Sequence, residues 1–305
     1  MDGDPTQVRF DSNVTITGPI RAPTQMLGDQ VIRGHASLHD ENVANSLGIT
    51  GAPIEAPTHF SQIDPLAYLL WGNAWFERGC ISGHFRTMVA EGESVRASIT
   101  TISPNAGTVE AFKTDGTPVL TGTASVGPEF PPTELDRRRA SYAISGELHI
   151  VDQLKVGLTK HFADSVSITF DDDNGPLYPF SLVDKLEKIT EPHPWYTREG
   201  GPSSPWGRAI VPMEMISVLA HKLDPMWPIR TPSVGLFLDL EIRLLHGPVF
   251  VGEHYTLESE IVGVSESRRT ESYWSLTTLR ETLDDEPAAT VLLHAGLFKD
   301  SGQVL

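Results

Sequence analysis

A chain of 305 residues, 39% hydrophobic and 21% charged, has the composition of one large or two ordinary globular domains, which excludes disordered and fibrous classes. Its 23 Lys and Arg against 40 Asp and Glu give a net charge of −17, a field that repels a nucleic-acid backbone and excludes nucleic-acid partners. The single cysteine, Cys80, excludes an intrachain disulfide and a cysteine-based metal site, and no stretch is apolar enough to span a bilayer.

In chain order, the acidic, polar segment Met1–Thr15 lacks the apolar stretch of a signal peptide, so a reducing cytoplasm is the expected location. His39-Asp40-Glu41 stands before the short helical pattern Val43, Ala44, Leu47, where the two acids suit the positive end of a helix. The pKa of an ordinary His lies near working pH, which makes His39 a candidate general acid–base with Asp40 or Glu41 beside it. Gly51-Ala52-Pro53-Ile54-Glu55-Ala56-Pro57 then leads into Phe60, Ile63, Leu66, Ala67 and Leu70, with Asp64 and Pro65 reading as N-cap and first helical position. Glu55 and His59, four apart, share a helix face. Val89-Ala90-Glu91-Gly92-Glu93 runs into the alternating Val95, Ala97, Ile99 of a strand, and Asp115-Gly116 marks a hairpin turn. From Gly127 to about Lys160 lies a linker with Pro131-Pro132 and Arg137-Arg138-Arg139, part of which is expected to pack across a sheet. The arginine run suits a solvated surface or a phosphate contact.

The second half repeats this order. Asp172-Asp173-Asn174-Gly175 is a turn signal, and Tyr178 after it is a hydrogen-bond donor. Leu182–Ser203 reads as an insertion that holds His193 between two prolines. Gly207-Arg208-Ala209-Ile210-Val211-Pro212 leads into Ile216, Leu219, Ala220 and Leu223, spaced as a helix that buries one face. Val249-Phe250-Val251-Gly252-Glu253 precedes the alternating Tyr255, Leu257, Ser259, Ile261, and a second hairpin turns between Asp284 and Pro287. Gly51 to Gly207 is an offset of 156 and Gly92 to Gly252 one of 160, so two landmarks move together. The expected organisation is a unit at 1–135, a linker at 136–160 and a related unit at 161–305. His84, His246 and His254 read as surface or satisfied core histidines. Trp71, Trp75, Trp206, Trp227 and Trp274 read as core, interface or pocket wall.

Several short segments resemble a known family. Trp206-Gly207-Arg208-Ala209-Ile210-Val211-Pro212 looks like the W-G-x-x-I-x-P turn before the central helix of MaoC-like hydratases, with Pro53-Ile54-Glu55-Ala56-Pro57 as its counterpart. Asp172–Tyr178 resembles the family's G-D-x-N-P-L-H-x-D segment, with an inserted Gly and Tyr in place of His. Gly34–Asn42 resembles it more loosely, with His39 in the His position and His35 near the position of the missing Asp. Over approximately Val31–Lys299 the chain therefore resembles the MaoC-like (R)-specific enoyl-CoA hydratases and dehydratases. The resemblance implies an α+β double hot-dog, two antiparallel sheets each wrapped around a central helix. It implies a lyase on an enoyl or 3-hydroxyacyl thioester of CoA or a carrier protein, without cofactor or metal, and the fused pair is compatible with a further homodimer. The expected catalytic residues are His39, Asp40, Glu55, His59, Asp173 and Tyr178; the expected substrate contacts are Pro57, Thr58, Arg86, Gly207 and Pro212. Neither half carries both Asp and His, so a thioesterase and a non-catalytic acyl-thioester-binding subunit stand as alternatives.

Overall fold

The computed structural model describes residues 13–142 and 146–300, so most of the N-terminal segment Met1–Thr15 lies outside the described residues. The first half contains β1 (Thr15–Arg21), α1 (Glu41–Ser46), α2 (Thr58–Ser61), α3 (Asp64–Trp71), α4 (Ala74–Arg78), β2 (Gly79–Phe85), β3 (Val95–Ser103), β4 (Ala106–Lys113) and β5 (Pro118–Val126). Helix α5 (Glu134–Ser141) follows. The second half contains β6 (Thr159–His161), α6 (Leu182–Lys188), α7 (Met213–Ala220), β7 (Gly235–Leu244), β8 (Tyr255–Glu266), β9 (Thr270–Glu281) and β10 (Pro287–Phe298).

The strands form one antiparallel sheet in the order β1-β3-β4-β5-β2-β7-β10-β9-β8-β6. Each half contributes five neighbours in the same internal order, and the two runs meet head to head at β2 and β7. The expected pair of separate sheets is thus corrected to a single ten-stranded sheet. The physical reason is the unpaired edge that β2 would present: Cys80–His84 pair with Asp239–Arg243 of β7, so that both edges are closed. β10 and the matching β5 flank this seam.

The internal echo is visible atom by atom. The Ile54 amide donates to the Val89 carbonyl at 2.8 Å, and the Val211 amide donates to the Val249 carbonyl at the same distance. Three residues beyond each acceptor, Gly92 and Gly252 adopt φ of +89° and +79°, a left-handed turn that a side chain would strain, before β3 and β8 begin.

Along a strand, side chains alternate between faces. At β2 the Ser82 hydroxyl accepts from the Leu135 amide of α5, while the α-carbon of Gly83 lies under Phe60 of α2. The short helices α2, α3, α4 and α7 therefore cover one face, called inner below, and α5 covers the other. One apolar core on the inner face runs through both halves, from Ile63, Trp75 and Ile99 to Met215, Leu219 and Leu293. Asp64 is not an N-cap. The cap is Ile63, and the Asp64 carboxylate lies buried, accepting from Trp75 Nε1 at 3.0 Å and from the Tyr196 hydroxyl at 3.1 Å. Among the described residues no helix is long and apolar enough to cross a membrane.

Candidate functional site

A cavity of about 750 Å³ lies where the halves face each other. The first half supplies the loop Gln30–His39, the turn Pro53–Pro57 with His59, and the segment Phe85–Val89. The second half supplies Leu177 and Tyr178, the C-terminal end of α7, the chain from Asp224 into β7, and inner residues of β8, β9 and β10. Of the residues singled out from sequence, His39, Glu55, Pro57, His59, Arg86 and Tyr178 line this one cavity.

His39 is fixed by its backbone neighbour. Its Nδ1 lies 2.7 Å from the Pro53 carbonyl. A carbonyl only accepts, so Nδ1 carries the proton and Nε2 is the basic nitrogen. Burial lowers the pKa of His39, opposed by the Pro53 contact and by the negative charge of Glu55. The imidazole is therefore neutral at rest, and Glu55 sits close enough to favour its protonated form.

Glu55 is buried, and its Oε2 accepts from Lys185 Nζ at 3.1 Å. Lys185 is buried too; it donates to the Thr58 hydroxyl at 3.1 Å and pairs with Glu214 Oε2 at 3.0 Å. One cation of the second half thus anchors a carboxylate of the first, and Glu214 holds that cation in turn. His59 is fully enclosed, and burial pushes its pKa down to about 4, the Lys113 charge acting in the same direction. Tyr178 is buried, and burial raises its phenol pKa, with Glu55 and Tyr273 adding to the rise, so it remains a donor.

The other expected residues lie elsewhere. Asp40 caps α1, accepting from the Val43 amide at 3.0 Å, as a short side chain before a helix does. Asp173 stands exposed in its turn and accepts from the Gly175 amide. Thr58 turns toward Lys185 rather than the cavity. Gly207, exposed at φ +67°, and Pro212, the buried N-cap of α7, belong to the turn that leads into that helix, and neither lines the cavity. The amides there are already used: Gly207 donates to Ser204, Ile210 to Trp195 and Val211 to Val249. Likewise Thr58, His59 and Phe60 donate back to Glu55, Ala56 and Pro57, which satisfies the α2 amides locally.

His193 lies outside the cavity. It lies among Tyr68, Phe76, Trp195 and Tyr196, where its segment packs the insertion against α3 and α4. In the arginine run, Arg137 pairs with Glu134 at 3.7 Å, Arg138 pairs with Asp239 at 2.7 Å and Arg139 donates to the Val262 carbonyl, so all three are held on the protein itself. Lys185 and the inner residues of β9 were not singled out from sequence. The first lies 130 residues from its carboxylate partner, and the second read as ordinary strand. Among the described residues no three metal-ligating side chains cluster.

No protein-family model and no curated protein matches the chain. Solved structures do. A putative MaoC domain protein dehydratase from Chloroflexus aurantiacus superposes with a TM-score of 0.60 at 16% identity, covering 95% of each chain. A conserved hypothetical protein from Mycobacterium tuberculosis, described as having a double hot-dog fold, superposes with a TM-score of 0.56 at 13% identity, covering 92% of this chain and 96% of the other. The duplicated half, the head-to-head sheet and these superpositions agree: the chain is a double hot-dog protein, built on the fold of the MaoC-like dehydratases.

Proposed function

We propose that the protein is a hydratase or dehydratase of acyl thioesters, with His39 as the acid–base residue. The observation that carries the reading is that His39 and Glu55 line one cavity within electrostatic reach of each other, with the His39 tautomer fixed by Pro53. In hydration, His39 Nε2 takes a proton from water as the water oxygen bonds to the β-carbon of the enoyl thioester. The π electrons move to the α-carbon and thioester carbonyl, and the imidazolium returns the proton to the α-carbon. H and OH are added across the double bond and the enzyme is restored; dehydration is the reverse. Glu55, held by Lys185, favours the transient imidazolium electrostatically, and the Tyr178 phenol donates to the thioester oxygen as its charge grows. The acidic Glu55 thus takes the place of the family's Asp. Arg33 and Arg86, both exposed on the cavity wall, suit the phosphates of a CoA thioester despite the chain's net negative charge.

The test is loss of enoyl absorbance, with free thiol followed in parallel, when the protein is offered enoyl-CoA thioesters. Absorbance falls without thiol release under this reading. His39→Ala and Glu55→Gln each lower kcat by about 10²-fold or more. Thiol release instead identifies a thioesterase, and unchanged turnover in both variants removes this site from the chemistry.

A further inference from the structure

The chemistry assigned to His39 and Glu55 occupies one region of the cavity; another runs along the inner face of β8 and β9, and its wall is unlike the equivalent wall of the first half. There Ile99 of β3 and Val109 of β4, which pair across the two strands, are buried and apolar. In the second half the equivalent pair is Ser259 of β8 and Thr277 of β9, and the cavity meets both together with Tyr273 and Ser275 of β9. Trp274, between two of them, points to the other face and stacks on His294 at 4.0 Å, which confirms the direction. The difference in covering explains the space: α3 and α4 continue over the first-half sheet, whereas α7 ends at Ala220 and leaves the sheet beyond it to the cavity.

Ser259 and Thr277 satisfy each other at 2.8 Å. Tyr273 and Ser275 have no side-chain hydrogen-bond partner among the described residues, although Ser275 is only 5% exposed. Burial pushes the Tyr273 phenol up to about 12, with Asp224 adding to the rise, so it is a donor throughout the working range. Around these groups the wall is apolar, with Trp227, Leu293 and Leu297. An all-methylene chain lying there would leave both hydroxyls unmatched, whereas a chain bearing an oxygen would give them a partner.

We propose that Tyr273 and Ser275 form a second, distal subsite that selects an acyl group bearing a keto or hydroxyl oxygen beyond the β-carbon. This rests on the acyl-thioester reading above and specifies its substrate class. Tyr273 donates to that oxygen; Ser275 donates to a keto group and donates to or accepts from a hydroxyl.

Binding to unreactive saturated thioesters tests the subsite separately from catalysis. By titration calorimetry, octanoyl-CoA is compared with octanoyl-CoA derivatives carrying one keto or hydroxyl group at successive positions beyond the β-carbon. At least one derivative binds about ten-fold more tightly than octanoyl-CoA, as two neutral hydrogen bonds provide. Tyr273→Phe and, separately, Ser275→Ala each reduce that ratio several-fold, and the second variant covers the event that the first fails to fold. The proposal is overturned if no derivative outbinds the plain chain, if neither variant changes the ratio, or if no acyl-CoA binds at all. A preserved preference without turnover of the corresponding enoyl thioesters would support the subsite while removing the hydratase reading; turnover without preference would do the opposite.

Discussion

Lys185 is the residue on which the proposed site turns. It is buried, and burial alone would lower its pKa, but the charges of Glu214 and Glu55 outweigh this and raise it. Glu214 responds in the opposite sense: burial pushes it up to about 7 against the attraction of Lys185. Removing the cation leaves two buried carboxylates facing each other. Lys185→Met is therefore expected to destabilise the fold by about 3–5 kcal/mol, as breaking a buried pair does, measured by urea unfolding. Lys185→Met is also expected to lower kcat/KM for enoyl-CoA hydration, because Glu55 loses the contact that holds it in the cavity wall. An unchanged kcat/KM would make Lys185 a structural residue only.

Among the elements, α5 shows how little of a helix its own sequence can specify. Its residues, Glu134-Leu135-Asp136-Arg137-Arg138-Arg139-Ala140-Ser141, have no apolar stripe, yet it lies across the outer face of β2, β5 and β7. Thr133 and Asp136 close a capping box at its start. Leu135 is its one fully buried side chain, beside Trp274 and Leu292. Leu135→Ala should cost about 2–5 kcal/mol, the range for a buried leucine truncation, and a loss below 1 kcal/mol in urea unfolding would mean that α5 is held by its polar contacts instead. Periodicity does read α7 as a helix, although every residue from Met213 to Ala220 is buried rather than one face alone, and the helix ends before Leu223. It does not read α2–α4 as three pieces, because the breaks follow from local packing and from Asp64 turning inward to Trp75 and Tyr196. The candidate site divides the same way. His39 and Glu55 stand in motifs with local spacing, so sequence finds them. Their partner Lys185 and the hydroxyls of β9 acquire meaning only when distant chain segments meet. Gly207 and Pro212 show the converse: a familiar turn, repeated in sequence, can serve only to start a helix.

At the scale of the molecule, the halves are joined by more than the β2–β7 ladder. Lys185 ties them on the inner side, and Asp239 does so on the outer side. Asp239 of β7 is fully buried; its Oδ1 lies 2.8 Å from His84 Nδ1 of β2 and 2.7 Å from Arg138 Nε of α5, and its Oδ2 lies 2.6 Å from His294 Nδ1 of β10. One carboxylate thus gathers the first half, the connecting helix and the second half. Burial would raise its pKa, but the hydrogen bonds from His294 and His84 and their charges outweigh it and hold it at about 2. An unfolded Asp titrates near 4, so the unfolded chain takes up this proton first as the medium is acidified. The stabilisation is therefore complete above about pH 4 and is lost as pH falls toward 2; the shift corresponds to about 2 kcal/mol. Asp239→Asn should consequently be less stable than the parent near neutral pH, and the difference in urea midpoint between the two should shrink steadily as pH is lowered below about 4. A difference that stays constant through that window would show that Asp239 does not hold its charge in the folded protein. The seam between the halves would then depend on β2–β7 pairing and on the Lys185 cluster alone.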